Sequence, residues 1–376
     1  MPMKRSVIPN WTYLPEYRRL KKEIHKAITN VLESGTLILG KHVSDFENAF
    51  AKYSQTKYAI GVGNGTDALI IALKALGVGP GDEVITVPNT AIPTASSIIA
   101  VGAKPVFVDV LSDTLLMDAS KLKAVITKKT KVILPVHLYG QMCDMDEILA
   151  VARRYNKFVL EDCAQSTGAS WRGKKAGSIG DISTFSFYPT KIIGAYGDGG
   201  MITTNNKKLA DKVRMLRIYG TRGKYYSYFH GYNSRLDELQ AAILHVKLKK
   251  IEQSIKMRQN ISKRYNKYLK ATPLRLPVVN ENAKHVWHLY VVRSTKTSKL
   301  ITYLEKHNIG IKIHYPWPLH TMAAFRHLGY KKGDFPVTER AAREIFSLPL
   351  YPELTDRYQK RIAAVIKSFF ASKKRH

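Results

Sequence analysis

Residues 161–204 read EDCAQSTGASWRGKKAGSIGDISTFSFYPTKIIGAYGDGGMITT. The stretch opens on the two carboxylates that end the apolar run FVLED (158–162), and it holds two further β-branched runs, DISTFSFY (181–188) and GMITT (200–204). Between these last two sits a Ser-Phe-Tyr-Pro-Thr-Lys turn whose lysine, Lys191, comes 29 residues after Asp162. Gly194, Gly197, Gly199 and Gly200 follow it, a setting unlike a solvated lysine face. An acid at the end of a buried strand and a lysine in the turn after another are what an open α/β sheet uses to build a site, because its functional groups gather at strand ends and in the loops that follow.

The pattern continues outward from this stretch. EVITVP (83–88), PVFVDV (105–110) and KVILPVHL (131–138) read as strands. TDALIIALKAL (66–76), closed by Gly77, and TASSIIAV (94–101), DASKLKAVI (118–126) and MDEILAVARRY (145–155) read as helices. Such alternation predicts an α/β fold with a mainly parallel sheet covered by helices on both faces. A long helical pattern starts near Arg235, with Leu236, Leu239, Ile243 and Val246 on one face, and runs past Ile251 and Ile255 toward Tyr268. After Thr272-Pro273, HVWHLYVVR (285–293), TSKLITYLEKH (297–307), GIKIHYP (310–316) and a helix near 355–370 read as a smaller C-terminal α+β domain. We place the large domain at 1–250 and the small one at 251–376.

Composition is that of a globular enzyme, 45% apolar and 24% charged. The N-terminus lacks a signal-peptide core and no run is long and apolar enough for a membrane span, so a cytoplasmic protein is expected, with no membrane partner. Two cysteines, Cys143 and Cys163, make no disulfide framework and are expected as reduced thiols. The 60 Lys+Arg against 29 Asp+Glu leave a formal charge of +31, a bias that attracts nucleic acid or anionic metabolites. Those lysines are dispersed, as in KKTK (128–131), KLKK (247–250) and the terminal SKKRH, so a solvated basic coat is the preferred reading over a nucleic-acid face. His285 and His288, three apart on an expected strand, would point to opposite faces, and no metal site is expected.

The chemistry follows from four pieces. Gly63-Asn64-Gly65-Thr66-Asp67 precedes an amphipathic helix, where glycines admit an anion and free N–H groups point at it. A plain helix cap would use the same residues. Gly65, Thr66 and the Ser186 hydroxyl are the candidate phosphate donors, Lys191 the amine that holds an aldehyde as a Schiff base, and Asp162 the acid that keeps a pyridine nitrogen protonated. Ala164 is small enough to lie beneath a flat ring, and Gln165 can reach a ring hydroxyl. Together they describe a pyridoxal 5′-phosphate site, with Lys191 and Asp162 as its catalytic residues.

GNGTDAL, EDCAQSTGA, GSIGD, FSFYPTK, GDGG and GYNSRLDELQAA, in this order, resemble the DegT/DnrJ/EryC1/StrS sugar aminotransferases, and the likeness runs from LESGTLILGKHVSDFE (32–47) to SLPLYPELT (347–355). The resemblance implies fold type I, like aspartate aminotransferase, with a seven-stranded-type sheet sandwiched by helices, and a homodimer with shared sites. It places the Schiff-base lysine on Lys191, the pyridine acid on Asp162, the phosphate pair on Gly65 and Thr66, the strand serine on Ser186 and the ring-side glutamine on Gln165. An asparagine reaching the neighbouring subunit's phosphate falls on Asn233. NSRLDELQAAILHVKLKKIE, HVWHLYVVR and IHYPWPLH are most similar to enzymes that aminate C3 of a nucleotide-linked 3-keto-6-deoxyhexose, and C4-specific relatives share the core motifs. In many relatives an aromatic or histidine follows the Asn-Thr pair and covers the cofactor; here Asn89-Thr90 is followed by Ala91.

The expected substrates are an amino-acid donor, by resemblance L-glutamate, and a nucleotide-linked keto-sugar. Arg222, Lys224, Tyr219 and Tyr225 in YGTRGKYYS are candidates for the diphosphate, or else a solvated basic loop; Tyr188, His314, Tyr315 and His320 complete the candidate substrate contacts. A sugar dehydratase on this fold carries histidine in place of the lysine, so Lys191 argues against it. A regulatory or nucleic-acid-binding protein is the alternative that the charge suggests.

Overall fold

The structure, a computed structural model, describes residues 7–371, so the terminal SKKRH lies outside the described residues. Two helices, α1 (Leu14–Glu33) and α2 (Lys41–Ser54), precede β1 (Tyr58–Val62), α3 (Gly65–Ala75), β2 (Glu83–Thr86), α4 (Ile92–Ala100) and β3 (Lys104–Phe107). Then come a single turn α5 (Leu122–Val125), β4 (Thr130–Ile133), α6 (Met145–Arg154), β5 (Phe158–Asp162), the two-residue strands β6 (Ser170–Trp171) and β7 (Lys174–Lys175), β8 (Ile182–Ser186), β9 (Gly200–Thr204) and α7 (Lys207–Leu216). A hairpin of β10 (Thr221–Arg222) and β11 (Lys224–Ser227) leads to α8 (Glu238–Leu248) and α9 (Ile251–Leu269). The chain ends with β12 (Ala283–Lys284), β13 (Tyr290–Arg293), α10 (Thr297–Lys306), α11 (Pro336–Glu344), β14 (Ile345–Leu348) and α12 (Asp356–Ala371).

Seven strands form the central sheet in the order β1-β9-β8-β5-β4-β2-β3. All its pairings are parallel except those of β9 with β1 and β8, so β9 alone runs against the rest. The mainly parallel α/β sheet read from the sequence is therefore present, with β1 as a strand the pattern did not disclose. Strand alternation sets the site: Phe185 and Phe187 point into the core while Ser186 between them faces the start of α3. Phe50 meets Phe185 edge-on at 4.9 Å and Phe46 meets Phe187 at 5.5 Å. Each such pair adds about 0.5–1.5 kcal/mol beyond burial, which braces β8 from behind.

A second apolar core gathers Ile261, Tyr265, Leu269, Tyr290, Phe346 and Ile362, whereas Ile251 and Ile255 of α9 belong to the first, so the chain passes between the cores within α9. The single long helix expected from Arg235 is two, broken at Lys249 and Lys250. HVWHLYVVR is strand only from Tyr290, because Trp287 takes a left-handed φ of 56° that ends any extended run before it. Residues 310–316 contribute one bridge, Lys312 to Ser347, instead of a strand. Both cysteines are buried free thiols.

Candidate functional site

Glu161 and Asp162 are adjacent on β5, so their side chains leave the sheet on opposite faces. Asp162 faces a cleft of about 530 Å³, lined also by Gly65, Thr66, Ala164, Ser186 and Lys191. It is 4% exposed; its Oδ1 accepts from the Ala164 N–H (3.1 Å) and its Oδ2 from the Thr94 hydroxyl (3.0 Å), which is itself 2.9 Å from the Thr90 hydroxyl. Burial pushes its carboxyl above the usual range, against those two hydrogen bonds and the Lys191 charge. A protonated ring nitrogen beside such a carboxylate would offset the cost of its burial. Glu161, by contrast, is fully buried and saturated, accepting from the N–H groups of Gly177, Ile179 and Gly180, the Ser183 hydroxyl and His137 Nε2. With the Cys143 N–H donating to His137 Nδ1 (3.2 Å), the imidazole proton sits on Nε2 and the pair is closed.

The cradle is packed tightly. Asn64 caps α3 by accepting from the Asp67 N–H (2.8 Å), so the plain cap and the anion cradle coexist: Asn64 supplies the cap, and the first-turn N–H groups of Gly65 and Thr66 have no partner within the helix. A Cβ on Gly65 would lie 2.7 Å from Ser186 Cβ, and one on Gly200 would run into the Asn64 carbonyl. Only glycines let the helix start come this close to β8 and β9 and bring N–H groups and the Ser186 hydroxyl to one spot. The Asp67 carboxylate is held by the Ser234 hydroxyl at 2.6 Å. Lys191, in the turn closed by its N–H to the Tyr188 carbonyl (2.9 Å), projects into the same cleft. Burial lowers its ammonium to about 8, opposed by the Asp162 charge.

The other expected contacts divide. Tyr188, half exposed, is the aromatic side chain of the cleft lining, and Ala91 lines it too, so no ring stands at the position after Asn89-Thr90. Gln165 is buried, its Oε1 accepting from the Tyr139 N–H (2.8 Å) and its Nε2 donating to the Tyr315 hydroxyl (3.1 Å). Burial and the Asp162 charge push the Tyr315 phenol up to about 12. His314 Nδ1 lies 2.8 Å from the Ser347 hydroxyl, and burial with the Lys191 charge lowers its imidazole to about 4. His320 is a correction: it is buried against Phe335, with Nε2 3.1 Å from Glu339, and is not among the cleft-lining residues. Tyr219, Arg222, Tyr225 and Asn233 are all exposed and line no part of their own chain's cleft, and the Lys224 side chain lies outside the described residues.

The spacing argument for His285 and His288 assumed a strand that is absent there; both are buried, and His285 stacks on Trp287 at 4.0 Å. Among the described residues His137, Glu161 and Cys163 come within metal-binding distance of each other. Glu161 is already saturated and burial holds the Cys163 thiol well above its ordinary range, so neither is free to ligate.

Thr94, Thr90 and Glu161 are the parts of the site that the motifs did not disclose. A model of the DegT/DnrJ/EryC1/StrS aminotransferase family matches residues 18–367. The chain belongs to this family. The dTDP-3-amino-3,4,6-trideoxy-alpha-D-glucose transaminase of Micromonospora megalomicea subsp. nigra is 46% identical over 95% of this chain and 97% of that protein. A pleiotropic regulatory protein of Geobacillus stearothermophilus is 45% identical over 96% and 98%. The crystal structure of S. venezuelae DesV in complex with a ketimine intermediate superposes with a TM-score of 0.95 at 38% identity, covering 97% of this chain and 98% of that one. The protein is an aminotransferase of fold type I, and its cofactor is pyridoxal 5′-phosphate. The residues fit that group: a buried carboxylate, a lysine whose ammonium burial lowers to about 8 and a glycine-tight helix start open into one cleft.

Proposed function

We propose that the protein transfers an amino group from L-glutamate to C3 of a nucleotide-linked keto-sugar, a dTDP-3-keto-6-deoxyhexose, in amino-sugar and polysaccharide synthesis in the cytoplasm. The observation that carries this reading is the convergence of Asp162, Lys191, Ser186 and the Gly65-Thr66 helix start, from four separate elements, on one cleft. The C3 assignment is supported by the 46%-identical relative, a transaminase named for a dTDP-linked 3-amino sugar. No helix of the described residues is long and apolar enough to cross a membrane.

When bound, pyridoxal phosphate supplies an aldehyde that takes up the amino group and a ring that accepts the electrons released at Cα. The chain's residues do the rest. The N–H groups of Gly65 and Thr66, with the Ser186 hydroxyl, hold the phosphate. Asp162 holds a proton on the ring nitrogen, and Thr94 and the Ala164 N–H orient its two oxygens. With its pKa near 8, about a tenth of Lys191 is neutral at pH 7, far more than for a free lysine. Its Nζ would be the base that takes the proton from the donor Cα in the first half-reaction and the acid that delivers one to the sugar carbon in the second. A positioned base of this kind contributes roughly 10²–10⁴-fold. Asn233 and the segment carrying Tyr219, Arg222, Lys224 and Tyr225 reach the neighbouring subunit's cleft in a homodimer, where they meet phosphate and nucleotide; the exposure of Tyr219, Arg222, Tyr225 and Asn233 and their absence from their own cleft support this.

The test is a mass-spectrometric screen of purified protein with L-glutamate and a panel of 3-keto and 4-keto nucleotide sugars. An amino sugar aminated at C3 is expected. Amination only at C4, or no amino sugar with any acceptor, would refute the assignment.

A further inference from the structure

The lysine turn is gripped from behind by a buried charge that the chemistry does not use. The chain leaving the turn packs on the chain entering it: a Cβ on Gly194 would run into the Pro189 carbonyl, so the backbone at 194 lies directly on the residue two before Lys191. The Ala195 N–H donates to the Phe187 carbonyl (2.7 Å) and closes the loop onto the end of β8. Lys247 of α8 takes hold at Gly194: its Nζ donates to the Gly194 carbonyl at 2.7 Å, pairs with Glu16 Oε2 of α1 at 2.9 Å and lies 4.2 Å from the centre of the Tyr196 ring. Seven residues earlier, two turns along the same face of α8, Gln240 accepts from the Tyr196 N–H (2.9 Å) and donates to the Tyr196 carbonyl (3.3 Å). Tyr13 and Tyr17 pack against the Tyr196 ring from the other side of this contact. Lys247 is 5% exposed, and an ammonium so deeply buried is costly unless paired and hydrogen-bonded. An apolar side chain of the same length would fill the space at less cost, so what the ammonium adds is a fixed geometry between α1, α8 and the turn.

Resting on the reading of Lys191 as the reacting amine, we propose that Lys247, anchored by Glu16, is a positioning residue for Lys191: it holds the Gly194 carbonyl, Gly194 bears on Pro189, and the turn so fixed keeps the amine in the cofactor cleft. Among the described residues nothing hydrogen-bonds the Lys191 Nζ itself, so its place is set by its backbone and by packing. A backbone free to shift would therefore carry the amine with it. Lys247 touches neither the cradle nor Asp162, which makes its contribution separable from theirs.

The experiment has two arms: competitive acetylation of the cofactor-free enzyme with acetic anhydride across pH, read on the Lys191 peptide by mass spectrometry, and the maximal rate at which L-glutamate discharges the yellow absorbance of the loaded enzyme. Lys247→Met keeps the length of the side chain and removes the ammonium. A turn no longer held lets the Lys191 side chain reach water, so its titration midpoint should rise from about 8 toward the ordinary lysine value of about 10.4. The maximal rate should fall roughly ten- to hundredfold, as for a reacting group displaced by about an ångström, at an unchanged half-saturating concentration. Glu16→Ala, at a partly exposed residue, leaves the Gly194 bond in place and should move both readouts less, in the same direction; it keeps the test open if Lys247→Met does not fold. Because Glu16 acts through Lys247, the double variant should be no worse than Lys247→Met alone. Wild-type midpoint and rate in a folded Lys247→Met, or in Glu16→Ala should that be the one that folds, would overturn the assignment, and so would losses in the double variant that simply add. If the wild type keeps its yellow absorbance with L-glutamate, the donor reading falls and the acetylation arm decides the positioning by itself. A borohydride label on another lysine would sink the reading of Lys191, and this inference with it.

Discussion

Glu161→Gln should unfold the protein more readily than any change at the neighbouring Asp162, although it touches neither cofactor nor substrate. The Glu161 carboxylate is fully buried and accepts from the Gly180 N–H at 2.7 Å, the Ile179 N–H at 3.0 Å, the Gly177 N–H at 3.3 Å, the Ser183 hydroxyl at 3.0 Å and His137 Nε2 at 3.0 Å. Glutamine keeps one carbonyl oxygen for the contacts of Oε1, but sets an NH₂ where Oε2 accepted from His137 and Gly177, donor against donor. Bonds to a charged group contribute about 1.5–3 kcal/mol each, so losing the two at Oε2 costs about 3–6 kcal/mol. For 376 residues unfolding as one unit, the entropy of unfolding is about 0.8 kcal/mol per kelvin, so Tm should fall by about 4–8 °C. The pH dependence carries a sign as well. The His137 and Gly180 contacts, outweighing burial, hold the Glu161 carboxyl below its ordinary range. Its stabilisation is therefore fully present above the unfolded-state value near pH 4.3 and is lost as pH falls through the depressed folded one, so the variant should have the flatter acid limb. Calorimetric unfolding of the cofactor-free protein at pH 7 and across the acid range reads both effects. A Tm drop below about 1 °C would refute the saturated-carboxylate account.

Asp162→Asn should do the reverse: burial raises that carboxyl in the cofactor-free protein, so its charge is a burden above the ordinary aspartate range, and neutralising it should leave Tm at pH 7 unchanged or higher while transamination falls at least about a hundredfold. Lys191→Ala should abolish transamination yet still bind the cofactor through the cradle and Asp162, and in wild type borohydride should fix the cofactor on Lys191 alone, as peptide mass spectrometry will show. Cofactor uptake by the cofactor-free enzyme should accelerate with pH up to about 8, where the Lys191 amine becomes neutral, and level off above it; a rise continuing to 10.5 would contradict the buried setting of the lysine. Once subunit exchange is demonstrated, mixing Lys191→Ala with an impaired Asn233 variant should restore activity through hybrid dimers with one intact site; no recovery would remove Asn233 from the partner's cleft.

The legible parts of the site were those encoded in short, contiguous runs. Strand period, the strand-end acid and the glycines of the cradle all act through neighbours a few residues away, so Asp162, Lys191, Gly65 and Ser186 could be named before any coordinates. Glu161 could not be told from a spare acid, because its partners lie 16 to 24 residues away in both directions and meet it only when β8 with the loop before it, and the segment after β4, close on β5. His320 looked like a site histidine beside His314, yet its partner Glu339 and the ring of Phe335 draw it into a satellite core. The helix from Arg235 was overextended because its apolar spacing persists across a break that two exposed lysines conceal.

By itself the amino-acid order determined the α/β alternation, the acid-lysine pair and the glycine-tight helix start, since periodicity and backbone freedom are local properties of the chain. Only the tertiary structure decided which of two adjacent carboxylates faces the cleft, that Thr94 orients it, and that the Lys191 amine is driven toward neutrality. These outcomes depend on desolvation and on contacts between distant elements, which no local pattern carries.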